Sequence, residues 1–168
     1  WYQPLDYTSR YFIEPKAIYQ TRTFTQYSPN GKKLSQYRVN SSLLELGAGR
    51  EVGVYGELRA GYRLASGKID LEVGDPTLPE GDFNSGSIFG RIWVDRLDEA
   101  YFPSRGYNAK VEYELLREDF GNDSDLDQLE SQASYFHTFG EHTFGLGGVF
   151  NTTLDGDAAI QDRFRMGG

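Results

Sequence analysis

The sequence predicts an all-β fold, an antiparallel up-and-down meander forming part of the wall of a membrane β-barrel. Three observations predict it. Long stretches alternate apolar and polar residues with a period of two, the spacing at which side chains leave opposite faces of a strand. These stretches run to about 12–17 residues, against ~5–6 for an ordinary globular strand and ~9–11 for a tilted strand crossing hydrocarbon. The connections alternate between tight turns and longer polar loops, as the two rims of an outer-membrane barrel do.

The elements follow in order. Trp1-Tyr2-Gln3 reads as the end of a strand, and Phe12 to Tyr27 as a less regular full one. After the polar loop Ser28 to Lys33, Leu34 to Arg50 sets Tyr37, Val39 and Leu43 against Gln36, Arg38, Asn40 and Ser42. At Leu44-Glu45-Leu46 this alternation slips phase, which predicts a bulge. The turn Glu51 to Val54 is tight. Tyr55 to Glu72 then carries Leu58, Ala60, Tyr62 and Leu64 on one face, opposite Glu57, Arg59 and Arg63. A long loop from Gly74 to Phe83, with Asp75, Pro76, Pro79, Glu80 and Asp82, leads to a strand from Asn84 to Asp95.

A medium turn, Arg96 to Arg105, precedes the cleanest alternation, Gly106 to Phe120. There Tyr107, Ala109, Val111, Tyr113 and Leu115 oppose Asn108, Lys110, Glu112 and Glu114. The polar loop Gly121 to Asp127, a strand from Gln128 to Phe139 and the tight turn Gly140-Glu141 come next. In His142 to Leu154, Phe144, Leu146, Phe150 and Leu154 alternate with Thr143, Gly145, Gly147, Asn151 and Thr153, before the polar stretch Asp155 to Gln161. Residues 1–168 thus read as a single barrel segment of seven full strands, truncated at both ends with a strand fragment at each.

In a barrel wall, one face of each strand meets lipid and the other meets the lumen. Leu58, Ala60, Tyr62, Leu64, Tyr107, Val111, Tyr113, Phe144 and Leu146 are therefore expected to face lipid. Glu57, Arg59, Arg63, Lys110, Glu112 and Glu114 are expected to face the lumen, where mixed charges pair with one another or contact water. Trp93, Tyr101, Phe102, Tyr107, Tyr11 and Phe12 gather near strand ends on the tight-turn side. An aromatic girdle at a membrane interface does this, and so does ordinary β-propensity.

Composition agrees with this class and excludes others. The chain has 20 Gly, 12 Tyr and 11 Phe, with one Met and no Cys; aromatic and Gly-rich sequence favours pleated, turn-rich structure. Mean hydropathy is -0.58, compatible with a barrel because only alternate residues of a barrel strand meet lipid. The longest nearly apolar run, Phe144 to Phe150, is far shorter than the ~18 residues of a spanning helix. A net charge of -8 argues against nucleic acid as a partner, since nucleic acid calls for a basic footprint. Without Cys there is neither a disulfide nor a thiolate metal site.

No enzymatic constellation emerges, and no cofactor is expected. Gly86-Ser87-Ile88-Phe89-Gly90 has its serine one place too early for a nucleophile elbow and lies in a strand. Gly47-Ala48-Gly49-Arg50-Glu51-Val52-Gly53 has its last glycine misplaced for a dinucleotide loop, and no helix follows. Asp123-Ser124-Asp125-Leu126-Asp127 begins with calcium-loop spacing, but Gln128 stands where Gly is required and Ser134 where Glu is. His137 and His142 flank a tight turn without a third ligand nearby.

Two stretches carry a resemblance. Val94-Asp95-Arg96-Leu97-Asp98 followed by Phe102-Pro103-Ser104-Arg105-Gly106-Tyr107 resembles a turn of the outer-membrane assembly and two-partner-secretion ("bacterial surface antigen") barrel superfamily. The positions that match are Asp95, Leu97, Asp98, Phe102, Pro103 and Gly106. Phe164-Arg165-Met166-Gly167-Gly168 is similar to the opening of that superfamily's inward-folded loop. Within it, Gln3-Pro4-Leu5-Asp6 and Tyr11-Phe12-Ile13-Glu14-Pro15 look like the barrel of patatin-like outer-membrane phospholipases.

The resemblance implies about half of a sixteen-stranded barrel in the bacterial outer membrane. Because unpaired edge groups are costly in an apolar setting, such a segment is expected either to close as a smaller barrel or to pair through its edges. It implies outer-membrane lipid and the parent chain's amino-terminal hydrolase and POTRA domains as partners. The fragment would then anchor, translocate or display that hydrolase and carry no catalysis itself. Self-association through open strand edges is a further expectation. The alternative is a self-contained soluble β-barrel or sandwich that binds a small apolar ligand.

Overall fold

The computed structural model describes residues 1–74, 80–122 and 124–156. Eight antiparallel strands form one sheet in chain order: β1 (Gln3–Pro4), β2 (Tyr11–Tyr27), β3 (Lys33–Val52), β4 (Gly56–Gly74), β5 (Gly81–Asp95), β6 (Gly106–Leu116), β7 (Leu126–Phe139) and β8 (His142–Asp155). Each strand pairs only with its sequence neighbours, as an up-and-down meander requires. The sheet curls as a half-barrel. Among the described residues no helix is long and apolar enough to cross a membrane, which says nothing against a barrel that crosses with strands.

Among the described residues β1 and β8 share no ladder, so the wall stays open and does not close on itself as a smaller barrel. β1 covers β2 only at Phe12 and Ile13. Among the described residues no second layer covers the apolar face, as a soluble sandwich would demand.

Two expectations are corrected. The strand starting at Gly106 ends at Leu116, not Phe120, and a 3-10 turn, Glu118–Phe120, follows it. Gly121 closes that turn in the left-handed region (φ 94°). The bulge expected at Leu44-Glu45-Leu46 is absent, for these residues pair without interruption with Ala17, Lys16 and Pro15 on one side and with Leu64, Arg63 and Tyr62 on the other. The irregularities lie nearer the loop, between Gln26 and Tyr27 and between Gln36 and Tyr37.

From Tyr37 to Val52 the backbone phase of β3 does not slip; the chemistry of its two faces changes over. Tyr37 and Val39 point inward with Glu45, and Arg38 and Asn40 point outward with Leu44 and Leu46. Burial shows this directly, because Tyr37, Val39 and Glu45 are buried while Leu44 and Leu46 are exposed.

Candidate functional site: the two faces of the wall

A single sheet buries a face only by curling around it, so the buried face is the concave one. On this face, side chains reach across strands. The Arg63 guanidinium on β4 donates to Glu45 on β3 (2.6 Å) and, past β5, to Glu112 (2.6 Å) and Glu114 (3.0 Å) on β6. Arg91 and Lys110 also reach Glu112, at 2.5 and 3.3 Å. Arg59 pairs with Glu57 at 2.7 Å and with Glu14 at 2.9 Å. The six charged residues assigned to the lumen thus fall into two ion-pair systems: Arg63, Lys110, Glu112 and Glu114 with Glu45 and Arg91, and Glu57 and Arg59 with Glu14.

Burying this many charges is costly unless each is paired and hydrogen-bonded. Here both conditions are met. The Ser87 hydroxyl, completely buried, donates to Glu114; it serves this network and faces no histidine partner.

Aromatic platforms set the arginines. Phe89 lies directly opposite Gly61 on the neighbouring strand, and Phe12 opposite Gly49. A Cβ on Gly61 would come within 2.7 Å of the Phe89 ring and 2.6 Å of the Leu46 carbonyl oxygen. Glycine therefore lets each ring lie flat on the partner strand. Arg63 stacks on Phe89 at 4.0 Å and Arg59 on Phe12 at 5.0 Å, which fixes each guanidinium while its edges meet carboxylates. Sequence reasoning missed this pairing. Its signal was the recurrence of Phe and Gly at inward positions, legible only once the register is known. Phe83 over Gly67 and Phe136 over Gly145 repeat it.

The convex face is apolar and exposed. Leu58, Tyr62, Leu64, Tyr107, Val111, Tyr113, Phe144 and Leu146 are all exposed on it, with Ala60 among them. Leu154 falls in the irregularity of the β7–β8 pairing and has no direct partner.

This apolar surface is a band with a sharp outer limit. On β2 the convex series Tyr11, Ile13, Pro15, Ala17, Tyr19 gives way to Thr21, Thr23, Thr25. On β4 Leu58, Ala60, Tyr62, Leu64 gives way to Ser66, Lys68, Asp70. Beyond this limit, on the loop side, the concave face carries the apolar cluster Tyr37, Val39, Ile69 and Phe83, against which Phe24 and Leu71 pack.

The turn β5–β6 shows what its sequence motif does. The Asp95 carboxylate accepts the Leu97 amide at 3.0 Å. That of Asp98 accepts the amides of Ser104 (2.9 Å) and Arg105 (3.0 Å) and the Ser104 hydroxyl. The Ser104 hydroxyl, first, and the Arg105 amide hold the Asp98 carboxyl down at about 2 from its ordinary 3.8. Gly106 has φ 114° and lies against the Arg96 carbonyl, where no side chain fits. Pro103 is half-buried, and Phe102 is fully exposed beside Tyr101. The motif is a self-capped turn.

Other candidates have structural partners. Asp125 accepts the Glu118 amide, and Asp127 pairs with Arg117 at 2.5 Å and accepts the Tyr113 hydroxyl. His137 stacks between Tyr135 and Phe139. The inward-loop motif Phe164, Met166, Gly167 and Gly168 lies outside the described residues, as do Asp123 and most of the β4–β5 loop.

A curled antiparallel wall with charges inside and an apolar band outside is the frame in which the family comparison falls. The Omp85 superfamily domain matches residues 2–168. The chain belongs to the Omp85 superfamily. Its members are outer-membrane β-barrel proteins of assembly or secretion, and their barrel domains are generally non-enzymatic. No curated protein and no solved structure matches.

Proposed function

We propose that this Omp85 wall segment stands in the bacterial outer membrane with its convex band against lipid and its ion-paired concave face lining the lumen. The observation that carries the reading is the slope of the band's outer limit. Tyr11, Arg50, Leu58, Ile92, Val111, Ser131 and Phe150 lie in one row of register. On β2 the last apolar residue of the band, Tyr19, stands eight residues beyond that row. On β8 the last one before polar Thr152 is Phe150, in the row itself. With ~3.3 Å per residue and ~4.8 Å between strands, that drop over six strand-to-strand steps is an angle of about 40°. Barrel strands tilt by ~35–45° in an outer membrane. A flat hydrocarbon boundary cutting tilted strands supports this orientation; a soluble surface has no reason to be cut on the same slant.

Val111→Arg tests it. Arginine at the midplane of a lipid face costs about 2–4 kcal/mol, so folding into phosphatidylcholine vesicles should fail or weaken by that much. The inward comparator is Gln132→Arg rather than a change at Glu112, which holds three cations. Equal folding of both variants would overturn the orientation.

The finer reading is that the parent barrel anchors, translocates or displays an amino-terminal patatin-like lipid hydrolase joined through POTRA domains. It is supported by Gln3-Pro4-Leu5-Asp6 and Tyr11-Phe12-Ile13-Glu14-Pro15. The test is acyl-ester hydrolysis by the full-length protein with the barrel segment intact, and its loss when the upstream domain is removed. A full-length protein without hydrolase activity would sink this finer reading and leave the barrel untouched. Within the full chain, the free edges of β2 and β8 would be met by further strands or by a second copy.

A further inference from the structure

The convex face has a groove of about 340 Å³ at its turn-side rim, where the β3–β4 hairpin meets the start of the β5–β6 turn. Gly56 forms its floor because glycine leaves the convex face bare there. Val52, Leu58, Ile92, Val94 and Tyr107 wall it. Arg96 also lines it, its guanidinium stacked on the Tyr55 ring at 4.4 Å.

The carboxylates closest in sequence are already engaged. Asp95 accepts the Leu97 amide, Asp98 caps the turn, and Glu57 holds Arg59. Arg96 makes no ion pair with a described residue. A cation held on an aromatic ring in the lining of an apolar groove, at the edge of the band proposed to face lipid, has the chemistry of a phospholipid site.

A second groove of similar size supplies the contrast. It runs over Ala17 between Leu44, Leu46, Tyr62 and Leu64, near the loop-side limit of the band. Its lining Lys16 belongs to the inward register, opposite Glu45, so no cation caps it on the lipid side.

We propose that the Gly56–Arg96 groove holds one anionic phosphoglycerolipid of the turn-side leaflet, an acyl chain lying over Gly56 and the phosphate bound by Arg96. Arginine suits this role because its planar fork meets two phosphate oxygens at once. The site rests on the convex band facing lipid, as proposed above.

The test uses the full-length protein folded in detergent micelles doped with phosphatidylglycerol or phosphatidylcholine, with retained lipid counted by native mass spectrometry. The wild type should keep one phosphatidylglycerol in preference to phosphatidylcholine. Arg96→Gln should lower phosphatidylglycerol retention about tenfold, the order lost with one charge-assisted contact. Val52→Trp, which fills the groove from its open end, should lower retention of both lipids, and Ala17→Leu in the second groove should change neither.

Equal retention of the two lipids by the wild type, or equal losses in Arg96→Gln and Ala17→Leu, would overturn the site. The vesicle-folding assay of Val111→Arg separates the two levels. If Val111→Arg fails to fold while Arg96→Gln keeps its lipid, the groove alone is wrong. If Val111→Arg folds like the wild type, the lipid-facing reading falls and the groove with it.

Discussion

The band and the loop-side extension of the same strands differ in chemistry and share one backbone phase. Within the band, β4 points Leu58, Tyr62 and Leu64 outward and Arg59 and Arg63 inward; a few residues later it points Lys68 and Asp70 outward and Ile69 inward. The ladder to β3 runs unbroken through the change. What differs is which chemistry each face carries, and in the proposed orientation the medium each face meets. Beyond the band the strands behave like half of a water-soluble sheet, with an apolar inner cluster and a polar outer surface. Inside the band the order reverses: the apolar side chains are on the exposed face and the enclosed charges satisfy one another, as the proposed contact with lipid requires. Alternation therefore reports strands, whereas a reversal of its polarity reports a boundary.

The largest effect expected from breaking this comparison is at the band's inner face. Arg63→Ala leaves Glu45, Glu112 and Glu114 short of their shared cation, and an orphaned buried charge costs about 3–5 kcal/mol. Denaturant titration of the folded barrel should show it, and a loss below 1 kcal/mol would mean that the network is solvated rather than structural.

Arginine placed along one face sharpens the contrast next. Asn40→Arg, convex but beyond the band, should cost under about 1 kcal/mol, in contrast to the 2–4 of Val111→Arg. Val39→Arg, one residue away on the concave face, should cost more than Asn40→Arg because it enters the Tyr37–Ile69–Phe83 cluster. The reverse order at positions 39 and 40 would refute the boundary.

Gly61→Ala should cost about 1–3 kcal/mol, since its methyl group meets the Phe89 ring and the Leu46 carbonyl. Gly90→Ala, which meets nothing within 4 Å, is the control in the same unfolding assay.

The smallest effect lies outside the band, in the β5–β6 turn. Asp98 has its carboxyl held at about 2, below its ordinary 3.8. Its contribution is therefore fully present above about pH 4 and is lost as pH falls through about 2. Limited proteolysis of the turn should speed up across that window in the wild type. In Asp98→Asn it should already be faster at neutral pH and change little with acid.

The sequence by itself determined the class, the strands and most of the two faces. Period-two alternation is a local property of the chain, so Leu58 to Leu64 and Tyr107 to Tyr113 could be assigned to one face without knowing any neighbour. The Asp95 and Asp98 turn was equally legible, because a self-capped turn takes its partners from within about ten residues. Only the tertiary structure decided what depends on register between strands separated in sequence. Gly61 became a platform because Phe89 lies opposite it, and Arg63 became a hub because curling brings Glu112 and Glu114 across β5. The apparent phase slip at Leu44 was a change of surroundings, and one strand alone cannot distinguish that from a bulge. The slope of the boundary likewise needed every ladder in place, for tilt is a relation between neighbouring strands and no single strand contains it.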